Sequence, residues 1–348
     1  MSYVSPHPTP VLYAVIGGSG VYNLQFLSEN KTRQYYTIPT PFGDASDTIC
    51  VADIPHPNDP SKTFPCAFLP RHGRAHALNP SEVNYRRRTC CALKILGVRV
   101  VLAINAVGSL DSHYAPGDLT LVSQVVDKTF TRSSTFFEKG CVAHVDFAHP
   151  TSELFSSLAF SALKKCFPEA EAVETIVDDL NDKIVVQDTK KWKIHKKATA
   201  VTMEGPQFSS KAESLSNKHS LHGHLIGMTS ATECKLAREA EMIYVCIAMV
   251  TDNDAWSEAP HVNVSAVMEV VKANGEKAQR YPQAILSEWV TAVEESEKNN
   301  KKEESLLEKD PASHALQFGI MTKVDQIPAE TKERLRPLLI AKYPQYVS

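Results

Sequence analysis

Leu225–Trp256, LIGMTSATECKLAREAEMIYVCIAMVTDNDAW, spells strand, helix, strand. Leu225–Met228 is a short apolar run. Ser230-Ala-Thr-Glu233 has the form of a capping box, in which Ser230 and Glu233 satisfy the first free amides of a helix. Leu236, Ala237 and Ala240 give that helix a buried stripe. Ile243–Val250 is apolar without alternation, the pattern of a strand covered on both faces of a sheet. Asp252 and Asp254 then fall just past a strand end, where α/β sheets place ligands. Their i, i+2 spacing in an extended segment points both carboxylates the same way.

Working outward, three further strand ends carry polar or glycine-rich turns. Leu12–Ile16 runs into Gly17-Gly-Ser-Gly20, a turn whose backbone amides can converge on an anion, and its spacing does not match the dinucleotide fingerprint. Cys66–Leu69 ends in Pro70-Arg-His-Gly-Arg-Ala-His76, where Arg71 is suited to bidentate oxyanion contact. Asn79 and Pro80 then open a helix that Gly97 stops. Val98–Ile104 is a buried strand ending in Asn105-Ala-Val-Gly-Ser109. Each loop alone reads equally well as surface; three together favour one composite phosphate site.

Leu119–Val126 gives another strand, and 127–150 is irregular, with His144 the residue of interest. Residues 151–166 have helical spacing. The lysine- and aspartate-rich 174–198 reads as a charged surface insertion. Val201–Met203 leads into Glu204-Gly-Pro-Gln-Phe-Ser-Ser210, where Phe208 offers a flat apolar face and Ser209 a hydroxyl. Val262, Val264 and Val267 precede an amphipathic helix running to about 293. The expected organisation is a frayed tail (1–10), one α/β domain with a largely parallel sheet (11–292), and a charged linker with a helical extension (293–348).

Composition narrows the function classes. The chain has 348 residues, 43% apolar and 22% charged, with a net charge of −3, so it can bury a full core and gives no electrostatic case for nucleic acid or anionic membrane. Eight cysteines show no CxxC pair or zinc spacing, which speaks for reduced thiols rather than metal or disulfides. With no export pattern and no long apolar run, the expected location is the cytoplasm, with the nucleus a second compartment.

In chain order, IGGSGVY, RHGRAHALNPSEVNY, NAVGSL, TMEGPQFSS and MTSATECKLAREAEMIYVCIAMVTDNDAW resemble the purine nucleoside phosphorylase superfamily, over roughly residues 12–280, and most closely its methylthioadenosine-cleaving branch. The resemblance implies a single-domain αβα sandwich with a mixed, partly barrel-like sheet, a homotrimer, and no metal or organic cofactor. It implies a pentosyl transfer in which phosphate, as co-substrate, attacks C1′ of methylthioadenosine. Carried over by position, Ser19, Arg71, His72, Asn105, Ala106 and Thr229 hold phosphate. Met228 lies by the ribose, Phe208 and Ser209 by the base, and Asp252, Asn253 and Asp254 along the base edge. Val264 and Val267 face the 5′ substituent, and His144 reaches a neighbouring subunit's site. Asp252, Asp254 and His72 form the implied catalytic set.

Elementary chemistry agrees. Breaking a purine glycosidic bond builds positive charge on the ribosyl carbon and negative charge on the base. Phosphate serves the first and an acid at N7 the second. Two other readings stay open: a phosphorylase of 6-oxopurine nucleosides, and a purine-binding protein without turnover.

Overall fold

The computed structural model describes residues 3–43, 47–82, 89–176, 191–257, 264–299 and 305–348. Its strands are β1 (Tyr13–Gly17), β2 (Gln34–Tyr36), β3 (Ile49–His56), β4 (Asp59–Pro70), β5 (Val100–Ser109) and β6 (Leu119–Leu121). They continue as β7 (Gln124–Asp127), β8 (Glu171–Val173), β9 (Lys193–His195), β10 (Thr199–Thr202), β11 (Leu225–Gly227) and β12 (Ile243–Asn253). All join one mixed sheet of 12 strands.

The apolar run at 243–250 does what its lack of alternation implies. Tyr244, Cys246, Ala248 and Val250 enter one hydrophobic core, while Ile243, Val245, Ile247 and Met249 enter the other. The first core is covered by the helices Cys91–Leu96 and Ser230–Glu239, the second by Glu153–Cys166 and Tyr281–Asn299. Each large side chain so enclosed is worth about 1.5–3 kcal/mol, and the result is the expected α/β sandwich. Helix ends follow local chemistry. Ser152 caps Glu153–Cys166 by accepting from Phe155 N, and Gly97, at φ 96°, ends Cys91–Leu96.

Part of the sheet closes on itself. Residues 119–127 pair with β12 through β6 and, after a break, with β10 through β7. β10 pairs with β11, β11 returns antiparallel to the end of β5, and β5 runs parallel to β12. That circuit is the barrel-like half of the sheet, and the far ends of β5, β11 and β12 meet at its rim.

Several expectations are corrected. The sheet is mixed, as the resemblance implies: most pairings are parallel, as the strand pattern suggests, but β3 and β4 add an antiparallel hairpin that short apolar patterns did not reveal. β5 does not end at Ile104: β12 and then β11 supply partners as far as Ser109. The charged segment 174–198 re-enters the sheet as β9, with Ile194 and His195 buried and His195 Nε2 3.0 Å from Asp118 Oδ2. Residues 177–190 of that segment lie outside the described residues, as do 83–88 of the helix expected after Pro80. The tail beyond 293 supplies Leu316, Leu335, Leu338 and Leu339 to the first core, so it packs as part of the domain.

Candidate active site

The ends of β1, β4, β5, β11 and β12 surround a cavity of about 340 Å³. Ser19, Arg71, His72, Asn105, Ala106 and Thr229 all line it, although they come from four separate stretches of chain. So do Phe208, Met228, Asp252, Asp254 and Val267. A larger open groove, about 810 Å³ beside His7, Lys31 and Arg33, gathers none of these groups.

Three expected residues stand apart from the cavity, and the side chain of a fourth lies outside the described set. Asn253 belongs to β12 opposite Ser109 and does not line the cavity. Ser209 turns its hydroxyl to Met203 Sδ at 3.7 Å. His144 is exposed, with its backbone N–H donating to Gly319 O. Val264 opens the helix Val264–Ala278, and its side chain lies outside the described set. The lining residues that sequence reasoning did not select include His76, Ile226, Thr251 and Met268.

The glycine turn at 17–20 is shaped by what passes beneath it. A Cβ on Gly18 would sit 2.4 Å from Arg71 Nη1 and 2.7 Å from Ile104 O, so only glycine lets the guanidinium through. Gly20, at φ 81°, lies in the region that disfavours other residues.

Arg71 is nevertheless not poised as a free fork for an anion. Its Nε and Nη2 donate to the two carboxylate oxygens of Glu233 at 2.5 and 2.9 Å, and Nη1 donates to Ile104 O at 3.0 Å. Glu233 also accepts from Tyr244 Oη at 3.0 Å. Burial, and next the Glu233 carboxylate, push the Tyr244 phenol well above its ordinary range. The expected capping box at Ser230 and Glu233 is therefore corrected, since the buried guanidinium outcompetes the helix end for that carboxylate. Thr202 takes over the capping, its Oγ1 accepting from Ala231 N at 3.1 Å. The pattern appears instead at Ser210 and Glu213, which satisfy each other's backbone amides.

The histidines sit together. His72 Nδ1 lies 3.0 Å from Leu78 O, and because a carbonyl only accepts, that nitrogen carries the hydrogen. The rings of His72 and His76 are 4.7 Å apart, and the Tyr22 hydroxyl meets His76 Nδ1 at 2.8 Å.

At the carboxylates the strand is irregular. β12 pairs Val250 with Val107 and Asp252 with Gly108, so Thr251 is an extra residue, a bulge at the cavity edge. Burial holds the Asp252 carboxyl above its ordinary range, a bond from Thr251 opposes this, and the Asp254 carboxylate raises it further. Asp254 is 6% exposed, and its Oδ2 is a buried acceptor without a hydrogen-bond partner among the described residues. Asn105 Oδ1 is in the same condition. Such atoms are costly unless a bound group completes them.

The loop carrying Phe208 is clamped from behind. Glu204 accepts from Phe130 N, Thr131 N and Thr131 Oγ1, and pairs with Arg132 Nε at 3.1 Å. Arg132 also donates to Met228 O, tying the loop to the strand end at β11. Burial works against the Glu204 charge, but these donors hold its carboxyl at about 2.

Comparison with known proteins places this geometry. A sequence model described as the phosphorylase superfamily matches residues 12–290. The S-methyl-5′-thioadenosine phosphorylase of Chloroflexus aurantiacus is 40% identical over 326 residues, spanning 93% of this chain and 96% of that protein. A crystal structure of methylthioadenosine phosphorylase from an Antarctic soil metagenomic library superposes with a TM-score of 0.74 at 34% identity, covering 95% of this chain and 99% of that one. A variant of the adenosine/methylthioadenosine phosphorylase of Schistosoma mansoni, in complex with methylthioadenosine, gives a TM-score of 0.67 at 33% identity, covering 82% and 92%.

Proposed function

The chain belongs to the phosphorylase superfamily, and from that premise we propose that it is a pentosyltransferase cleaving S-methyl-5′-thioadenosine with inorganic phosphate to adenine and 5-methylthioribose 1-phosphate. The observation that carries the reading is the pairing of two unlike carboxyls in the same cavity as the anion-type groups: Asp252, biased toward its protonated form, and Asp254, with a bare buried oxygen.

In this mechanism phosphate rests on Ser19, His72, Asn105, the Ala106 backbone and Thr229, close to the start of the ten-residue helix Ser230–Glu239, whose dipole favours an anion. Arg71 adds its field from within the Glu233 pair. A phosphate oxygen bonds to C1′ as the C1′–N9 bond breaks, and the departing electron pair is drawn onto the purine. Asp252 gives its proton to N7 and regains one from solvent after release. Asp254, ionised, accepts from the 6-amino group. Phosphate is the only companion molecule that this chemistry requires.

The assembly belongs to the same proposal. Exposed Val142, Phe318 and Met321 lie on the two segments that meet at His144, with His144 N donating to Gly319 O and Met321 N to Val142 O. An apolar surface around a polar residue outside its own cavity supports a homotrimer in which His144 serves the neighbouring site. No described helix is long and apolar enough to cross a membrane. The location proposed with this function is the cytoplasm, with the nucleus a second compartment.

The test is adenine release from methylthioadenosine with and without phosphate, with adenosine and inosine run in parallel. Phosphate-dependent release, fastest with methylthioadenosine, is expected. Preference for inosine would favour the 6-oxopurine reading, and binding without turnover would leave a purine-binding protein. Light scattering should give three times the chain mass.

A further inference from the structure

Thr251 is the residue that β12 leaves unmatched, and the bulge has a chemical consequence. In a regular strand neighbouring side chains face opposite sides, yet Thr251 and Asp252 both line the cavity. Thr251 is 5% exposed, and its Oγ1 lies 3.0 Å from Val107 O and 2.5 Å from Asp252 Oδ1. One hydroxyl hydrogen thus has two acceptors to choose between. The Val107 carbonyl is an acceptor of fixed strength. Asp252 is a weak acceptor while it holds its proton and a strong one once it has lost it.

The second carboxyl oxygen of Asp252 is placed differently. Oδ2 lies beside Gly108, where a Cβ would approach it to 3.3 Å, and Gly108 itself lines the cavity. We propose that Thr251 is a positioning residue for Asp252: it shares its hydrogen between Oδ1 and Val107 O, leaves the transferable proton on Oδ2, and commits that hydrogen to Oδ1 as the carboxylate forms. The proton passes from Oδ2 to N7 of the base, and no other atom changes bonding at Thr251.

The surroundings leave few rivals for this role. Asp254 is the charged neighbour, one residue past the end of the same strand. The wall contributes Val107 and Gly108 from β5, Ile226 and Gly227 from β11, and Val267 and Val271 from the helix Val264–Ala278, none of which titrates. Arg71, His72 and His76 are the other ionisable groups on the cavity among the described residues. Burial raises Asp252, the Thr251 bond lowers it, and Asp254 raises it again, so the hydroxyl works against the two influences that favour the protonated form.

The inference rests on the phosphorolysis reading, and the experiment separates the two. Turnover of methylthioadenosine is followed from acid to alkaline pH in wild type, T251V, T251A and T251S. A hydrogen bond to a charged group corresponds to roughly 10- to 100-fold in rate and about one to two pH units. T251V and T251A should lose that much kcat with KM little changed, and the alkaline limb of kcat should move upward. T251S should keep both the rate and the limb. Should valine prevent folding, the alanine variant carries the comparison. A carboxyl NMR titration of Asp252 in the free enzyme should show the same upward shift in T251V. An unmoved Asp252 titration, or a serine variant as impaired as valine, overturns the role of Thr251. Wild type inactive on methylthioadenosine would instead overturn the reaction, while the titration would still report on Thr251.

Discussion

Arg71 and Glu233 form a two-point ion pair beneath the glycine turn, with side chains only 1% and 0% exposed. A charge so deeply enclosed is tolerable only with its partner, so the pair is a structural keystone between β4 and the helix Ser230–Glu239 as much as an anion site. Glu233→Gln should cost about 3–5 kcal/mol in chemical denaturation, since it strips the counter-charge from a buried guanidinium. Arg71→Met combined with Glu233→Gln should recover part of that loss while phosphate saturation stays impaired. Full stability in Glu233→Gln would show that the pair is open in solution.

Asp252 and Asp254 should divide the work at the base. Activity that needs protonated Asp252 is present below its raised pKa and lost as pH rises through it. Asp252→Asn should therefore reduce kcat by about 10²–10⁴ with little change in binding. Asp254→Asn should narrow the preference for 6-amino over 6-oxo substrates by about 1–3 kcal/mol, because an amide can turn a donor toward an oxo group. The ratio of kcat/KM for methylthioadenosine to that for methylthioinosine reads both, and an unchanged ratio together with unchanged turnover would reject the assignment.

The Glu204 clamp predicts a stability window. Its folded pKa of about 2 lies below the ordinary glutamate value of 4.5, so its contribution is complete above 4.5 and disappears as pH falls toward 2. Glu204→Gln should cost about 1–3 kcal/mol at neutral pH. That difference from wild type should shrink between those two values, as followed by denaturant titration at stepped pH. A pH-independent difference would mean that shape, not charge, holds the loop.

Val267 lines the cavity and offers a test of its apolar side. Val267→Asp should weaken methylthioadenosine by about 1–3 kcal/mol in kcat/KM and adenosine by less, because a methylthio group loses an apolar wall and a hydroxymethyl group gains a polar one. Equal losses for both substrates would place the 5′ substituent elsewhere.

What the sequence made legible were the elements with one local cause. The unbroken apolar run at 243–250 announced a doubly covered strand, and glycine or polar residues at strand ends announced where a ligand sits. Pairings between distant residues stayed hidden. Ser230 and Glu233 satisfy a helix-start pattern perfectly well, and nothing near them betrays that Arg71, 162 positions away, claims the carboxylate. The segment 174–198 looked like solvent-facing charge because β9 is only three residues long and its burial depends on β6 beside it. Thr251 was passed over for a similar reason: a bulge is a relation between two strands, and periodicity within one strand does not contain it.

That bulge makes the site depend on counting. Beyond Thr251 every side chain of β12 is displaced by one step from the alternation that serves the two cores, and the carboxylates of Asp252 and Asp254 take their direction from this offset. Deleting Thr251 would preserve both acids, their neighbours in sequence and nearly all the apolar burial, yet turn them to the opposite face. The site is thus exposed to an error of parity, a single missing residue of any kind, to which an inventory of its functional groups would be blind.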